Sequence, residues 1–296
     1  MRLLLGLVLF VAAAIQAHAE PPGQRFVAIA FHGIGDEVAD LEADSVRSKV
    51  LVQFFEWLKG TGWTAISLDD LSAAARRIRP LPQKPILITF DDGDRSLYTR
   101  VFPLLKVYRY PIVAALVGSW MEDRADGTVL YGDKTVSRDK FISWAQAREM
   151  QASGLVEFAS HSYNLHRGVR ANPQGNLVPA AITWRYDPAT GRYEDDAQFR
   201  ARIRADLMRA RSMMAANLHR TPRALVWPFG RYSGPALEVA KELSFEFALT
   251  LEPEPALRPT FMRSIGTSPR AIPNSGISRA ICGSSRTVRR RDGSPA

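Results

Sequence analysis

Short apolar runs alternate with longer segments of helical composition from residue 25 to about residue 250, and this alternation restricts the fold more than any other feature of the sequence. Runs rich in β-branched and aromatic residues predict strands at residues 26–31, 63–67, 86–90, 112–117, 156–160, 224–227 and 247–251. The segments between them predict helices at residues 45–59, 68–78, 96–108, 139–152, 197–218 and 235–243. Strands that are apolar throughout and are joined by helix-length connections pair in parallel, with both faces of the sheet covered. The pattern therefore predicts an α/β fold, a (β/α) barrel of about seven strands.

A doubly wound sheet is the alternative arrangement of the same elements. Its phosphate-binding fingerprint needs three glycines after the first strand. Here Gly33 and Gly35 follow a strand, but Val38 occupies the third position. The sequence has no Walker loop and no Gly-x-Ser-x-Gly elbow. The barrel is therefore the favoured prediction.

Two stretches interrupt the alternation. Residues 168–196, rich in Pro, Asn, Gly and Tyr, predict a long loop or a small insertion. Residues 264–296 change abruptly to Ser, Arg, Gly and Pro, which predicts a disordered basic tail and suggests a shifted reading frame as its origin. Six Arg and one Asp place +5 of the net charge of +9 in this tail. The rest of the chain lacks clustered Lys and Arg with interleaved aromatic residues, so nucleic acid is not an expected partner.

The first nineteen residues have the pattern of a signal peptide. Arg2 precedes an apolar run at residues 3–15, which is followed by the small-x-small site Ala17-His18-Ala19. The run is shorter than the ~20 residues that a membrane-spanning helix needs. Because the only cysteine is Cys282, we expect no lipidation at the cleavage site and no internal disulfide. The mature protein is expected to be exported and soluble.

Reactive side chains in (β/α) barrels lie at the carboxyl ends of the strands. Four predicted strands end in residues of this kind, in the segments Phe31-His32-Gly33, Thr89-Phe90-Asp91-Asp92-Gly93, Ala159-Ser160-His161-Ser162-Tyr163-Asn164-Leu165-His166 and Val226-Trp227-Pro228-Phe229-Gly230. Asp92, His161 and His166 together form a two-histidine, one-carboxylate set that can hold a divalent ion. Taken separately, Asp-Asp-Gly is also a common helix-capping turn, and the two histidines could be surface or capping residues.

Thr89-Phe90-Asp91-Asp92-Gly93 and His161-Ser162…His166 resemble the first and second motifs of the polysaccharide deacetylases of carbohydrate esterase family 4, the NodB-homology domain. Phe31-His32 and Trp227-Pro228-Phe229-Gly230 make the chain most similar to the PgaB type within that family, the periplasmic poly-β-1,6-N-acetylglucosamine N-deacetylases. The resemblance implies a distorted or incomplete NodB-type barrel. It also implies a deacetylase domain over residues 20–263.

The resemblance also implies roles for individual residues. Asp92, His161 and His166 would hold one divalent metal ion, with Zn, Fe, Ni and Co not distinguished. Asp91 would be the general base, and His32 the catalytic acid, since the family's late histidine motif has no match after His219. The substrate-binding residues would be Trp227, Pro228, Phe229 and Gly230. Two further departures from the commoner family pattern are the five-residue spacing of the histidines and the absence of the Arg that usually precedes the prolines of the family's third motif.

The function implied is removal of N-acetyl groups from an N-acetylglucosamine polymer, with poly-β-1,6-N-acetyl-D-glucosamine of a biofilm matrix as the expected substrate. An outer-membrane polysaccharide export protein is an expected partner. The alternatives are deacetylation of peptidoglycan, chitin oligomers or xylan, and a non-catalytic polysaccharide-binding or export protein.

Further expectations concern individual side chains. Trp227 could stack on a sugar or belong to the core, because its amphipathic ring suits both positions. His219 is expected to stabilise a helix end. The arginines of the helix at 197–218 are expected to form its solvated face, and Trp184 could be exposed near the groove.

Overall fold

The computed structural model describes residues 26–35, 45–132, 134–251 and 262–263. The predicted signal peptide (1–19) and basic tail (264–296) lie outside these residues and stay predictions, as does the boundary of the domain at 20–263. Within the described ranges, no helix has both the length and the apolar character needed to cross a membrane.

The strands form one large sheet and four separate two-stranded ladders. In chain order they are β1 (Val27–Phe31), β2 (Ile34–Gly35), β3 (Val46–Arg47), β4 (Thr64–Ala65), β5 (Pro85–Phe90), β6 (Ile112–Leu116), β7 (Thr128–Tyr131), β8 (Lys134–Ser137), β9 (Val156–Ser160), β10 (Gly168–Arg170), β11 (Leu177–Pro179), β12 (Tyr186–Asp187), β13 (Arg192–Tyr193), β14 (Ala224–Val226), β15 (Phe247–Leu249) and β16 (Met262–Arg263). Each of the seven predicted strands contains one observed strand, give or take one residue. The strand at Met262–Arg263 was not predicted.

Eight strands form one parallel sheet in the order β1-β5-β6-β9-β14-β15-β16, with β4 paired to β5. The sheet curls into a half-barrel with helices packed against it, which confirms the predicted barrel of the NodB type. No ladder joins β16 to β1 among the described strands, so the barrel is incomplete there. Every residue of β5 and β6 is buried, as a parallel sheet covered on both faces requires.

Six α-helices cover the sheet: α1 (Ser48–Thr61), α2 (Leu68–Ala75), α3 (Phe102–Tyr108), α4 (Trp144–Ala152), α5 (Asp196–Leu218) and α6 (Gly234–Glu242). The core face of α1 shows the helical period, since Leu51, Phe54, Phe55 and Leu58 are all buried. This apolar face is what the sequence pattern predicted.

Three predicted helices begin later than expected, and the one predicted from residue 45 begins at Ser48, after the short strand β3. The other two begin later for local reasons. The segment 96–108 starts with a π-turn at Leu97–Val101, where the Phe102 N–H donates to the Leu97 carbonyl and Pro103 lacks an N–H for the regular ladder. The helix predicted from residue 139 begins instead at Trp144. There Ser143 and Gln146 form a reciprocal capping box, with hydrogen bonds of 3.2 and 2.9 Å.

The segment 168–196 is a small insertion built of two hairpins, β10–β11 and β12–β13. Trp184 fixes it to α5, because its ring stacks on Phe199 at 4.3 Å and its Nε1–H donates to Asp196 at 2.9 Å. Trp184, whose exposure the sequence left open, is thus partly buried against α5.

Arg200, Arg204 and Arg209 of α5 are partly or well exposed, as the sequence predicted, and they are also paired with carboxylates. Arg200 contacts Glu238 and Arg204 contacts Glu242, both on α6. Arg202 binds Glu194 of the insertion at 2.8 Å, and Arg209 binds Glu122 at 2.9 Å. The helix thus binds its neighbours through opposite charges that are distant in sequence. His219 is exposed and ends α5 in a left-handed conformation, as expected of a residue at a helix end.

A charged cluster lies at the amino ends of the strands, opposite the strand ends that carry the reactive residues. Arg223, just before β14, donates to Glu157 of β9 at 2.7 Å, to Asp69 of α2 at 2.6 Å and to Glu246 at 3.2 Å. These carboxylates raise the pKa of Arg223 further above its usual value. The cluster connects β9, β14, β15 and α2 at one end of the half-barrel.

Candidate active site

The carboxyl ends of β1, β5, β9 and β14 meet at one edge of the sheet, and the predicted reactive residues follow directly. His32 follows β1, Asp91 and Asp92 follow β5, and His161 follows β9. His166 lies five residues further along the loop after β9. Parallel pairing therefore brings together residues up to 134 positions apart in sequence, as the barrel prediction required.

Asp92, His161 and His166 converge on one point. The ligand atoms that they offer all lie within 4.8 Å of one another. Asp92 Oδ1 is 3.7 Å from His161 Nε2 and 3.5 Å from His166 Nε2. These separations are long for hydrogen bonds, and they suit atoms arranged around a common ion.

The two imidazoles are held neutral, which is the form that can bind a metal. The His161 Nδ1–H donates to the Val226 carbonyl at 2.8 Å, so Nε2 is left with its lone pair. Burial lowers the pKa of His161 to about 3. Burial also lowers the pKa of His166, against the opposing effect of Asp92.

Asp92 is 3% exposed, and its two oxygens have different surroundings. Oδ2 accepts a hydrogen bond of 3.1 Å from the Tyr131 hydroxyl. Oδ1 is buried, faces both histidines and has no hydrogen-bond partner in the described part of the chain. Because a buried carboxylate oxygen without a partner is costly, this atom fits the position of a ligand to a divalent cation.

The turn that carries the two carboxylates has a left-handed backbone. Asp92 has φ +74° and Gly93 φ +77°. A Cβ at position 93 would lie 2.7 Å from Leu116 Cδ2, so glycine is required on both grounds. The capping alternative belongs to Asp94, whose Oδ1 accepts the Ser96 N–H at 2.8 Å. Asp91 and Asp92 thus point inward and do not cap a helix.

Asp91 lies beside Asp92, His161 and His166 in a different electrostatic environment. It is 7% exposed, and its Oδ1 has no hydrogen-bond partner among the described residues. Burial raises the pKa of Asp91 to about 7, with Asp92 adding to the effect and His32 opposing it. A carboxyl group with this pKa exchanges a proton near neutral pH. His32 is half-buried and lies close enough for its charge to act on Asp91, His161 and His166.

The loop from His161 to His166 is fixed mostly by side chains that accept its backbone N–H groups. Ser162 has φ +69°, and the Ser160 hydroxyl accepts its N–H at 3.1 Å. Asp206 of α5 accepts the N–H groups of Tyr163 and Asn164, both at 2.8 Å. These bonds set the distance between the two histidines. Sequence analysis missed Asp206, because a single acid on a long helix carries no local signal.

The members of the segment Trp227-Pro228-Phe229-Gly230 differ in their burial. Trp227 is 1% exposed and packs on Tyr232 with a centroid distance of 5.9 Å. The structure therefore corrects the expectation of a sugar-stacking surface and shows the alternative, a core residue. Pro228 and Gly230 are buried, whereas Phe229 is 44% exposed and its ring lies 4.4 Å from that of His166. Phe229 is the member of this segment that faces the open side of the site.

The site opens into two adjoining cavities that share His32. The inner one contains Asp91 and His161 in its wall, together with Trp227, Phe229 and Thr250. The outer one is a more polar groove, and its wall includes Asp92, Asp94, Tyr131, Lys140 and Phe141. An extended polar ligand that occupied both cavities would therefore pass Asp91, Asp92 and His32.

Comparison with known proteins agrees with this fold and identifies the family. The model of the polysaccharide deacetylase family matches residues 78–248, and the chain belongs to that family. Among curated proteins it is similar to the poly-β-1,6-N-acetyl-D-glucosamine N-deacetylase of Escherichia coli K12, with 41% identity over 231 residues. That alignment covers 78% of this chain and 34% of the relative, so the chain spans about a third of the relative's length.

Two solved structures are similar over most of their length. The deacetylase domain of BpsB from Bordetella bronchiseptica is 42% identical with a TM-score of 0.73, covering 81% of this chain and 94% of that one. A de-N-acetylase from Aggregatibacter actinomycetemcomitans is 31% identical with a TM-score of 0.76, covering 82% and 94%. The family assignment made from the two motifs is confirmed.

Proposed function

We propose that this chain is a metal-dependent N-deacetylase that acts on poly-β-1,6-N-acetyl-D-glucosamine. The observation that carries the proposal is the convergence of Asp92 Oδ1, His161 Nε2 and His166 Nε2 beside a buried Asp91. The names of the relatives from E. coli and of the domain from Bordetella support the reaction type. The 41% identity to the E. coli protein supports the β-1,6-linked substrate.

The proposed ligands of the ion are Asp92, His161 and His166. The unpartnered Asp92 oxygen and the neutral imidazoles fit a divalent cation, and a mixed nitrogen and oxygen donor set suits Zn, Fe, Ni or Co. Such an ion, when bound, polarises an amide carbonyl and lowers the pKa of water toward ~7.

Asp91 is proposed as the general base. Its carboxyl group is adjacent to the ligand set, and its pKa of about 7 allows it to accept a proton at neutral pH and to hold it. Asp91 lies in the wall of the inner cavity, and the proton it accepts would come from the water that attacks the amide carbonyl carbon.

His32 is proposed as the acid that protonates the departing amine. It lies at the end of β1, on the boundary of the inner cavity and the outer groove. An amide nitrogen is a poor leaving group unless it is protonated, so the reaction needs a proton donor near that nitrogen. The products are acetate and a glucosamine residue of the polymer.

The substrate is proposed to lie across the outer groove and the mouth of the inner cavity, with Phe229 of the inner cavity against a sugar ring. Pro228 and Gly230 would hold the Phe229 backbone, which has φ +58°, in the conformation that exposes the ring. We further propose that the protein is exported to the periplasm, which the signal-peptide pattern supports. An outer-membrane polysaccharide export protein is its proposed partner.

The proposal is tested by measuring acetate release from two N-acetylglucosamine oligomers of equal length, one β-1,6-linked and the other β-1,4-linked. The metal-loaded protein should release acetate faster from the β-1,6-linked oligomer, and Asp91→Asn should serve as the inactive control. Faster release from the β-1,4-linked oligomer would identify a chitin or peptidoglycan type of deacetylase. Binding of the oligomer with no acetate from either would identify a polysaccharide-binding protein.

A further inference from the structure

The hairpin β7–β8 reaches one oxygen of Asp92. Tyr131 is the last residue of β7, and its hydroxyl donates to Asp92 Oδ2 at 3.1 Å. The two residues are 39 positions apart, and neither β7 nor β8 belongs to the main sheet. The contact is therefore made by an added element of the fold and not by the barrel itself.

Packing fixes the Tyr131 ring in this position. The ring lies 4.7 Å from that of Trp120, measured between centroids. The Trp120 Nε1–H in turn donates to the Leu130 carbonyl at 3.0 Å, which ties the hairpin to the turn at Gly118–Trp120. Val129, 2% exposed, fills the cluster beneath them. The hydroxyl is thus held by a rigid apolar base.

The same cluster contacts a second member of the ligand set. The Trp120 ring lies 4.9 Å from the His166 ring, whose other neighbour is Phe229 at 4.4 Å. Displacement of the hairpin would therefore affect His166 as well as Asp92. A test must separate the hydroxyl of Tyr131 from the packing of the hairpin.

We propose that Tyr131 is a positioning residue that holds Asp92 so that only Oδ1 is presented to the divalent ion. The inference rests on the proposed function, because it needs the ion at the Asp92, His161 and His166 set. A hydrogen bond to the second oxygen fixes the rotation of the carboxylate, and without it Asp92 can turn or bind through both oxygens. Partners of this kind orient metal ligands and set the affinity of the site.

The experiment measures the affinity of metal-stripped protein for Zn²⁺ by competition with a chromogenic chelator, without substrate. Tyr131→Phe keeps the ring and removes the hydroxyl, and it should weaken Zn²⁺ binding by roughly 10–100-fold. The metal-stripped variant should still unfold in one cooperative transition, at a melting temperature lowered by the loss of the hydrogen bond to the buried Asp92 carboxylate. Tyr98→Phe is the matched control, because the Tyr98 hydroxyl donates to the Glu149 carboxylate at 2.6 Å, away from the site. Its affinity for Zn²⁺ should not change.

A second variant separates the hydroxyl from the packing. Val129→Ala loosens the base of the hairpin and keeps the Tyr131 hydroxyl, so it should retain most of the affinity. Equal affinity of Tyr131→Phe and the wild type would overturn the inference, and so would an equal loss in Val129→Ala. Failure of the wild type to bind Zn²⁺ or Co²⁺ would instead overturn the proposed metal site, and with it this inference.

Discussion

Asp91 and Asp92 are adjacent in the chain but have different surroundings. Asp92 has one oxygen bound by Tyr131 and the other directed at two imidazole nitrogens. Asp91 has a buried oxygen without a partner among the described residues and a pKa of about 7. The left-handed backbone at Asp92 separates the two side chains, so one carboxylate suits a cation and the other a proton.

This difference predicts two classes of variant. Asp92→Ala, His161→Ala and His166→Ala should lose the bound ion during dialysis against a chelator that leaves the wild type loaded. Asp91→Asn should keep the ion and lose roughly 10²–10⁴-fold in turnover, the range for one acid–base group. Elemental analysis and acetate release measure the two effects. Full occupancy in a ligand variant would remove that residue from the site, and wild-type turnover by Asp91→Asn would exclude it as the base.

His32 predicts a dependence on the leaving group. His32→Ala should bind the ion normally and lose roughly 10²–10⁴-fold in turnover on an N-acetyl substrate. An activated acetate ester has a leaving group that needs little protonation, so its hydrolysis should be affected far less. Equal losses on amide and ester would show that His32 supports the site in another way.

At the scale of single residues, the sequence predicted which side chains meet but not how they are held. Asp91, Asp92 and His161 follow strands directly, so parallel pairing alone brings them to one edge. Trp227 could not be assigned, because an indole ring suits both a core and a sugar surface until its neighbours are known. Tyr131 and Asp206 had no signal, since their hydrogen bonds to the site connect residues 39 and 43 positions apart.

At the scale of elements, the loop after β9 depends on α5. Its left-handed Ser162 and its two N–H bonds to Asp206 define the distance between His161 and His166. The five-residue spacing of the histidines requires such support, because the residues do not share a helix face. Tyr163 adds a second link, since its hydroxyl donates to Glu122, which also binds Arg209 of α5.

Asp206 predicts a pH dependence of stability. Burial raises its pKa to about 6 in the folded protein, against the N–H bonds and the charges of Arg167 and Arg202, while the unfolded value is about 3.8. Between these values the folded protein holds a proton that the unfolded chain has released, so stability decreases as pH rises. The free energy of unfolding of the metal-free wild type, relative to Asp206→Asn, should therefore fall from pH 4 to pH 6. A difference that is constant or rises over this range would show that Asp206 is ionised throughout.

At the scale of the whole molecule, the half-barrel separates stability from chemistry. The reactive residues lie at the carboxyl ends of the strands, and the Arg223 cluster joins the amino ends. The sequence predicted this architecture well, because continuous apolar strands and helix-length connections have few other solutions. It did not predict the π-turn before α3, which depends on Pro103. Nor did it predict the hairpin β7–β8, which depends on contacts with Trp120.

Arg223 predicts a loss of stability without a loss of chemistry. Arg223→Ala removes hydrogen bonds to three carboxylates in a partly buried cluster and should cost about 2 kcal/mol of unfolding free energy. Arg204→Ala breaks an exposed pair with Glu242 and should cost less than ~1 kcal/mol. Urea unfolding measures both, and acetate release should be unchanged in both. Equal costs would show that the cluster contributes no more than a surface pair.

The most direct test of the account is acetate release from a β-1,6-linked N-acetylglucosamine oligomer, measured as Zn²⁺ is added to metal-stripped protein. Since Asp92, His161 and His166 form one site, the rate should rise in proportion to the metal and level off at one equivalent. A chelator should then abolish it. Release by the metal-stripped protein at the full rate, or no release at any ratio of metal to protein, would contradict the account.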